Sequence, residues 1–474
     1  MKRTKIHKQQ FFFLAMLMVP LYGMVGITYA EEQANSKNHD VWITVFVHGM
    51  MSIKHHLSFE NICRFLRDDV ERTRYGDPTI YAATVKIMHH DPFFYQNQAM
   101  QGPGLQSIDS SVHRGNASGA LAFLYDEMAS HIAPNQKNYY CTFGWLGLLS
   151  AKTRLQEAGV LYKELRKIKR RFAQKGINPK FRIIGYSHGG NLGLNLHAVQ
   201  RRVPARERII IDELVLVGTP VQAETEKMIY SPLFKKIYNL YSLKDRVQIA
   251  DPFSTGRFLS GRVFQSPGHR PLPAKLVQIQ VKVTRILENH LHSPHCTNFC
   301  SLRTLRGKSG IFRDISPGHA ELWFFGWTPL NYRSHFPLYP FPIVAFVPLI
   351  IKECTLHCQK RKNTPVVCDF RPQQNALLIR YQGSSCLLKC VPLIINTQGI
   401  KKQLFRFAPD GDYSEEIYRN HIHSAYKKAV ICLTECLPNG SHRKRKFRAE
   451  RRKMKNACGA LWSAVGLCRR TIFN

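Results

Sequence analysis

The stretch FRIIGYSHGGNLGLNLH, residues 181–197, joins an apolar run to a helical pattern through a serine between glycines. FRII is typical of a buried strand and NLGLNLH has helical spacing, so Ser187 falls on the turn between them. Such a turn can hold a side chain exposed above a sheet, and Gly185 and Gly189 leave room for the neighbouring backbone. The stretch therefore predicts either a nucleophile on a strained turn or a serine that caps a helix.

Runs on both sides of this turn alternate between strand and helix patterns. LQEAGVLYKELRKIKRRFAQKG (155–176) indicates an amphipathic helix that ends at Gly176. Strands that alternate with helices predict an α/β domain with a mostly parallel sheet flanked by helices, whose functional crevice lies at the carboxyl ends of the strands. The apolar runs that predict strands buried on both faces are DVWITVFVHGM (40–50), DELVLVGTP (212–220) and KIYNLYSLKD (236–245).

Two segments upstream of the serine are less regular. TIYAATVKI (79–87) is rich in β-branched residues and predicts a further strand. Residues from about 90 to 135 have turn composition and little periodicity. We interpret them as an insertion that covers the site as a lid.

The sequence pattern changes after about residue 335, where short strand-like runs follow one another without helical patterns between them. We expect a catalytic domain over 31–334, a smaller β-rich, cysteine-containing region over 335–437 with a helix near 413–436, and a basic tail over 438–474. The runs interpreted as short strands in the second region are FPLYPFPIVAFVPLII (336–351), TPVVCDF (364–370), NALLIRY (375–381), CLLKCVPLII (386–395) and KQLFRFAP (402–409).

The chain is strongly basic, with 68 Lys+Arg against 32 Asp+Glu and a formal net charge of +36. Such a field attracts anions, including lipid headgroups and acidic polymers, although a basic proteome would give the same excess. No nucleic-acid-binding module is recognisable in the sequence. The expected contact of the tail is an anionic membrane or polymer.

Residues 1–30 have the three parts of a secretory signal peptide: a basic start, an apolar run and small residues before Glu31. Cleavage is expected after Ala30, and an uncleaved membrane anchor is the alternative. In either case the protein is predicted to be exported, with a periplasmic, extracellular or membrane-associated location.

The chain contains thirteen cysteines. If the protein is exported, as predicted, these cysteines are candidates for disulfides, because disulfides persist in exported proteins. A metal site is the alternative around His290, His292, His295, Cys296 and Cys300, but zinc sites more often use a two-residue gap between cysteines. We expect disulfides, at least one cysteine outside them, no metal and no cofactor. The pairs with the shared three-residue gap are Cys296/Cys300, Cys354/Cys358, Cys386/Cys390 and Cys432/Cys436.

A nucleophilic serine needs an oxyanion hole, a base and an orienting acid. FVHGM (46–50) places His48 and Gly49 at the end of a buried strand. The backbone N–H of Met50 or Met51 is therefore expected to form the oxyanion hole together with the N–H of His188. An ordinary turn is the alternative for this dipeptide. The side chain of His188 is predicted to be structural, and that of Trp145 to line either the pocket or the core.

Several of these segments, in chain order, resemble the α/β-hydrolase family, particularly its lipase-like members. FVHGM resembles the oxyanion strand, GYSHGG (185–190) the nucleophile elbow, LVLVGTPV (214–221) the strand after it, and NLYSLKDRVQ (239–248) the strand end that carries the acid. The resemblance covers roughly residues 40–330 and implies an α/β-hydrolase fold with Ser187 as nucleophile.

The resemblance further implies that Asp245 is the acid and His319 the base, in the family order nucleophile, acid, histidine. Asp245 follows an apolar strand, and a cap or turn aspartate is the alternative for it. His319 follows a Ser-Pro-Gly turn, as the histidine of the family does. Rival candidates are Asp251 and Asp314 for the acid, and His269, His290, His292 and His295 for the base.

The implied function is that of an exported serine esterase or lipase, which hydrolyses an acyl ester or lipid substrate through an acyl-enzyme. A thioesterase, amidase or acyltransferase would use the same fold and triad. A third possibility is a non-catalytic surface-binding protein that uses the basic tail and the cysteine-containing region.

Overall fold

The computed structural model describes residues 40–50, 78–147, 151–249, 260–286, 312–327, 336–358, 364–393, 397–410 and 415–436, apart from 267, 269 and 385, and also residues 445 and 448. The strands are β1 (Asp40–Val47), β2 (Gly104–Ser107), β3 (Gln136–Gly144), β4 (Lys180–Tyr186), β5 (Ile211–Val217), β6 (Phe234–Tyr241), β7 (Leu276–Ile286), β8 (Phe312–Asp314), β9 (Val366–Arg371), β10 (Ala376–Tyr381) and β11 (Leu387–Pro392). The α-helices are α1 (Pro78–Met88), α2 (Ala117–Ile132), α3 (Ala151–Gln174), α4 (His188–Gln200), α5 (Val347–Cys358), α6 (Thr397–Leu404) and α7 (Glu415–Cys436).

The strands form one mixed sheet in the order β11-β10-β9-β7-β6-β5-β4-β1-β3-β2, with β8 paired to β7. Its centre is parallel, because each pairing along the run β3-β1-β4-β5-β6-β7-β9 is parallel. The edges are antiparallel, at β2 on one side and at β10 and β11 on the other. The prediction of an α/β fold with a mostly parallel sheet is confirmed.

Both faces of the sheet are covered, which explains why the central strands carry apolar residues on both faces. On one face, Phe46 and Ile184 belong to a buried cluster that includes Leu121 of α2. On the other face, the adjacent residues Val45 and Ile183 belong to a second cluster. Helices α3 and α4 contribute Leu161 and Leu192, among others, to that second cluster.

The segment TIYAATVKI, predicted as a strand, is helix α1, so that prediction is wrong. Ile80, Thr84, Val85 and Met88 are buried, and their spacing follows the helical period. Ile80 packs against Ala429 of α7. Packing of this face overrides the β-branched composition.

The interpretation of residues 90–135 as an irregular lid is also corrected. Strand β2 pairs with β3 inside the main sheet, and α2 is a regular helix whose Leu121 and Tyr125 are fully buried in the first cluster. Asn116 caps the start of α2 by accepting a hydrogen bond from the N–H of Gly119 at 2.8 Å. The part of the segment from 104 to 132 is therefore a structural layer of the domain.

The region after residue 335 does not form a sheet of its own, because β9 pairs with β7 in register from Ile279–Val366 to Val283–Phe370. Three predicted strands, at 364–370, 375–381 and 386–395, are confirmed as β9, β10 and β11, and the helix near 413–436 is confirmed as α7. Two other strand predictions are wrong: 336–351 runs into a 3-10 turn at Ile343–Phe346 and then α5, and 402–409 overlaps α6 and a second 3-10 turn. The first is apolar throughout and so carries no period, and Pro348 lies in the first turn of α5, where proline is tolerated.

Within the described part of the chain, no helix is long and apolar enough to span a bilayer. The cysteines described there are not joined by disulfides, although the Sγ atoms of Cys354 and Cys368 lie 3.4 Å apart between α5 and β9. The disulfide expectation therefore stays a prediction. The signal segment 1–30, the pair Cys296/Cys300 and most of the tail lie outside the described residues.

Candidate active site

Ser187 lies on the sharp turn between β4 and α4, with the unusual backbone angles φ 52° and ψ −128°. A positive φ strains a residue that has a side chain, and such strain is typical of functional turns. The turn is held because the N–H of Ser187 donates to the carbonyl oxygen of Val217 at 2.9 Å. The flanking glycines are required by close approach: a Cβ on Gly185 would lie 2.6 Å from the nitrogen of Gly190, and one on Gly189 would collide with the carbonyl oxygen of His48.

The structure brings Ser187, His319 and Asp245 together from three separate segments. His319 Nε2 lies 3.0 Å from Ser187 Oγ, and His319 Nδ1 lies 2.7 Å from Asp245 Oδ2. Asp245 is fully buried, Ser187 is 5% exposed, and the side chain of His319 is 16% exposed. With Nδ1–H donated to the carboxylate, Nε2 can accept the hydroxyl proton of the serine.

Asp245 is fixed by its own loop. The N–H of Gln248 donates to Asp245 Oδ1 at 3.1 Å, and the guanidinium of Arg262 donates to the backbone oxygen of Asp245 at 2.8 Å. The loop of the acid also contacts the loop of the histidine, because Ser242 Oγ donates to the carbonyl oxygen of Pro317 at 2.6 Å.

The rival candidates do not enter this arrangement. Asp314 is exposed, and its Oδ1 accepts from the N–H of Ser316 at 2.8 Å. It therefore stabilises the turn before His319 instead of orienting the imidazole. Asp251, His269, His290, His292 and His295 lie outside the described residues.

The end of β1 lies directly against the nucleophile turn. A Cβ on Gly49 would lie 3.0 Å from Ser187 Cβ, so the Gly49–Met50 peptide borders the serine. Across the serine, His188 begins α4, whose positive dipole end faces the turn. The Gly49–Met50 peptide and the first residue of α4 therefore both border the serine, and the assignment of the Met50 and His188 N–H groups as oxyanion donors stays a prediction. Met51 lies outside the described residues.

The side chains of His188 and Trp145 are both buried beside this turn. His188 Nδ1 lies 3.4 Å from the guanidinium of Arg154, which also donates to Gln222 Oε1 at 2.9 Å. Trp145 packs in the second core cluster and donates its indole N–H to the carbonyl oxygen of His48 at 2.8 Å. Of the two roles expected for Trp145, the core position is the one observed.

Sequence reasoning missed two residues that complete the site. Tyr186 donates its hydroxyl to the carbonyl oxygen of His319 at 3.0 Å, and its ring stacks on Trp323 with centroids 5.1 Å apart. Gly218 has φ 58°, and a Cβ there would lie 3.2 Å from Asp245 Oδ2. A Gly-Thr-Pro turn after a buried strand was visible in the sequence, but its contact with the acid is a long-range packing effect.

Two ionisable side chains near the buried Asp245 carboxylate have raised pKa values. Burial, followed by the charges of Asp245 and Glu321, raises the pKa of Tyr186 well above its usual range, so its hydroxyl remains a donor. Burial also raises the pKa of Glu321, and the Asp245 charge adds to the effect. Loss of a proton is therefore less favourable at both Tyr186 and Glu321 because of burial and the nearby Asp245 charge.

The described residues contain no group of three or more His, Cys, Asp or Glu side chains placed to bind a metal ion. What this arrangement can do chemically is activate a serine hydroxyl with a histidine oriented by an aspartate, beside backbone N–H groups. No family model matches the chain, and a search of the curated proteins finds no match.

Proposed function

We propose that the protein is a serine hydrolase of the α/β-hydrolase fold that cleaves a carboxylic ester. The observation that carries the proposal is His319, whose two ring nitrogens lie 3.0 Å from Ser187 Oγ and 2.7 Å from Asp245 Oδ2. The strained φ of Ser187 and the order Ser187, Asp245, His319 along the chain support the same assignment.

In the proposed reaction, His319 accepts the Ser187 proton as the oxygen attacks the ester carbonyl. Asp245 keeps Nδ1 protonated and stabilises the imidazolium that forms. The oxyanion of the tetrahedral intermediate accepts hydrogen bonds from the N–H groups of Met50 and His188. His319 then protonates the leaving alcohol, and a water molecule repeats the cycle on the acyl-enzyme to release the acid.

The signal-like segment 1–30 supports export as part of this proposal, and the basic tail supports contact with an anionic membrane or polymer near a lipid or acyl-ester substrate. Both segments are largely outside the described residues, so this part of the proposal depends on the sequence.

The test is covalent labelling with a fluorophosphonate probe, followed by mapping of the modified peptide. We expect the label on the peptide that contains Ser187, and none on the Ser187→Ala variant. Ser118→Ala is the matched control, because Ser118 is also buried and donates to a backbone oxygen, that of Met100, at 3.1 Å. Labelling of Ser187→Ala equal to that of the wild type would contradict the proposed nucleophile.

A chromogenic acyl ester tests the reaction itself. We expect Ser187→Ala to lower kcat by at least about 10⁴-fold, because removal of the nucleophile leaves only binding and oxyanion stabilisation. Ser118→Ala should retain wild-type turnover.

A further inference from the structure

The imidazole of His48 holds the peptide group between Gly49 and Met50, and its hydrogen bonds fix the tautomer of the ring. The N–H of Trp145 donates to His48 Nε2 at 3.2 Å, so Nε2 carries no proton. The proton of the neutral ring is therefore on Nδ1, which lies 2.7 Å from the carbonyl oxygen of Gly49 and donates to it. This tautomer is assigned from the hydrogen-bond network.

The Gly49 carbonyl and the Met50 N–H belong to the same planar peptide group. In a trans peptide the two bonds point in opposite directions, so an interaction that holds the carbonyl oxygen also sets the direction of the N–H. The Met50 N–H is one of the two donors assigned to the oxyanion under the proposed function. His48 can therefore orient this donor without touching a substrate.

Trp145 holds His48 at two further points. Its indole N–H donates to the carbonyl oxygen of His48 at 2.8 Å, and the two rings are near-parallel, with centroids 5.9 Å apart. His89, at the end of α1, supports Trp145 from behind: its Nε2 lies 2.8 Å from the carbonyl oxygen of Trp145, and its Nδ1 lies 2.9 Å from that of Gln101. The end of β1 is thus tied to the end of β3 and to α1.

Burial of these residues keeps the His48 ring neutral. His48, His89 and Trp145 are each at most 2% exposed. Burial, with a smaller contribution from His89, lowers the pKa of His48 from 6.5 to about 3, so the ring is neutral at neutral pH.

We propose that His48 and Trp145 are positioning residues that fix the direction of the Met50 N–H before a substrate arrives. The inference rests on the proposed function for its catalytic consequence. The structural part of the proposal is the pair of hydrogen bonds that connects the Trp145 amide to His48 and His48 to the Gly49 carbonyl. A donor that is fixed in advance acts mainly in the transition state, because that is where negative charge develops on the oxygen.

The catalytic test compares three variants with the wild type on one ester substrate. His48→Leu removes both ring hydrogen bonds and should lower kcat by about 10²- to 10³-fold with KM nearly unchanged. His48→Asn keeps a donor for the Gly49 oxygen and should recover most of the loss. Trp145→Phe keeps an aromatic ring but loses the indole N–H, and should lower kcat by about 10-fold.

Trp327→Phe is the matched control, because Trp327 is also buried and donates its indole N–H to a backbone oxygen, that of Gln96, at 2.5 Å. It should keep the wild-type kcat. Equal losses in Trp145→Phe and Trp327→Phe, or equal losses in His48→Asn and His48→Leu, would overturn the positioning role.

A second measurement keeps the inference separate from the proposed function. Hydrogen exchange of the Trp145 amide should be slow in the wild type and in Trp327→Phe, and clearly faster in His48→Leu, since that amide donates to His48. Unchanged protection in a folded His48→Leu protein would refute the link even if the chain had no esterase activity. Conversely, loss of protection in a protein without Ser187-dependent turnover would leave the link intact and refute only the proposed function.

Discussion

The hydroxyl of Tyr186 donates to the carbonyl oxygen of His319 at 3.0 Å, so the residue before the nucleophile holds the loop of the base. The two rings also lie in contact, with centroids 4.8 Å apart. Because Tyr186 precedes Ser187 in the chain, its contacts with His319 help to fix the distance between the serine and the imidazole.

Tyr186→Phe should therefore weaken catalysis while the fold persists. We expect kcat to fall by about 10-fold, because loss of the hydroxyl lets the histidine loop shift relative to the serine. Loss of the hydrogen bond should lower the free energy of unfolding by about 1 kcal/mol. Tyr238→Phe is the control, since Tyr238 is equally buried and hydrogen bonds to Thr355 at 2.9 Å. The same fall in kcat for both variants would contradict a role specific to the site.

Asp245→Asn should lower kcat by about 10⁴-fold with KM little changed, because the amide favours the wrong tautomer of His319. Steady-state kinetics on an acyl ester gives both parameters. Asp314→Asn, at the rival position in the sequence, should stay within about 2-fold of the wild type. If Asp314→Asn were the inactive variant and Asp245→Asn the active one, the assignment of the acid would be wrong.

Gly218→Ala separates backbone strain from contact with the triad. Its φ of 58° strains an alanine, and the added Cβ would lie 3.2 Å from Asp245 Oδ2 and 3.4 Å from His319 Nδ1. Gly383→Ala has a similar strain at φ 75° but meets nothing within 4 Å. We expect both variants to lose about 1 kcal/mol or more of stability, measured by urea unfolding. Turnover should fall in Gly218→Ala alone.

Glu321→Gln tests the raised pKa of the Glu321 carboxyl. The folded state binds this proton more tightly than the unfolded state, whose pKa is near 4.5, so the stabilising contribution is complete below that value and is lost as pH rises through the folded pKa. Glutamine cannot ionise. The free energy of unfolding of Glu321→Gln, relative to the wild type, should therefore increase between about pH 4 and about pH 7.

Urea unfolding at the two pH values measures this difference, and Glu435→Gln, at an exposed position on α7, is the control. A difference for Glu321→Gln that is constant with pH, or that decreases as pH rises, would be the contrary result.

Much of the fold could be predicted because the central strands are buried on both faces. Runs such as DELVLVGTP and KIYNLYSLKD stop where polar residues begin, and that point is the carboxyl edge of the sheet, where Asp245 lies. The contacts of Tyr186 and Gly218 could not be predicted, because each joins residues that are far apart in the chain.

Errors arose where local composition and packing disagree. Residues 79–87 and 347–351 are β-branched or uniformly apolar, yet each forms a helix because neighbouring elements cover its apolar face. Strand β7 is absent from the sequence prediction, although it pairs with both β6 and β9.

The pairing of β9 with β7 determines how the chain can be divided. A protein shortened near residue 335 would lack the strand that now covers Val281 and Val283, which are fully buried. Its β7 would become an edge with unsatisfied N–H and C=O groups, a surface that recruits strands from other molecules. The residues after about 335 therefore complete the sheet of the segment that carries the serine, and production of that segment alone should yield aggregates.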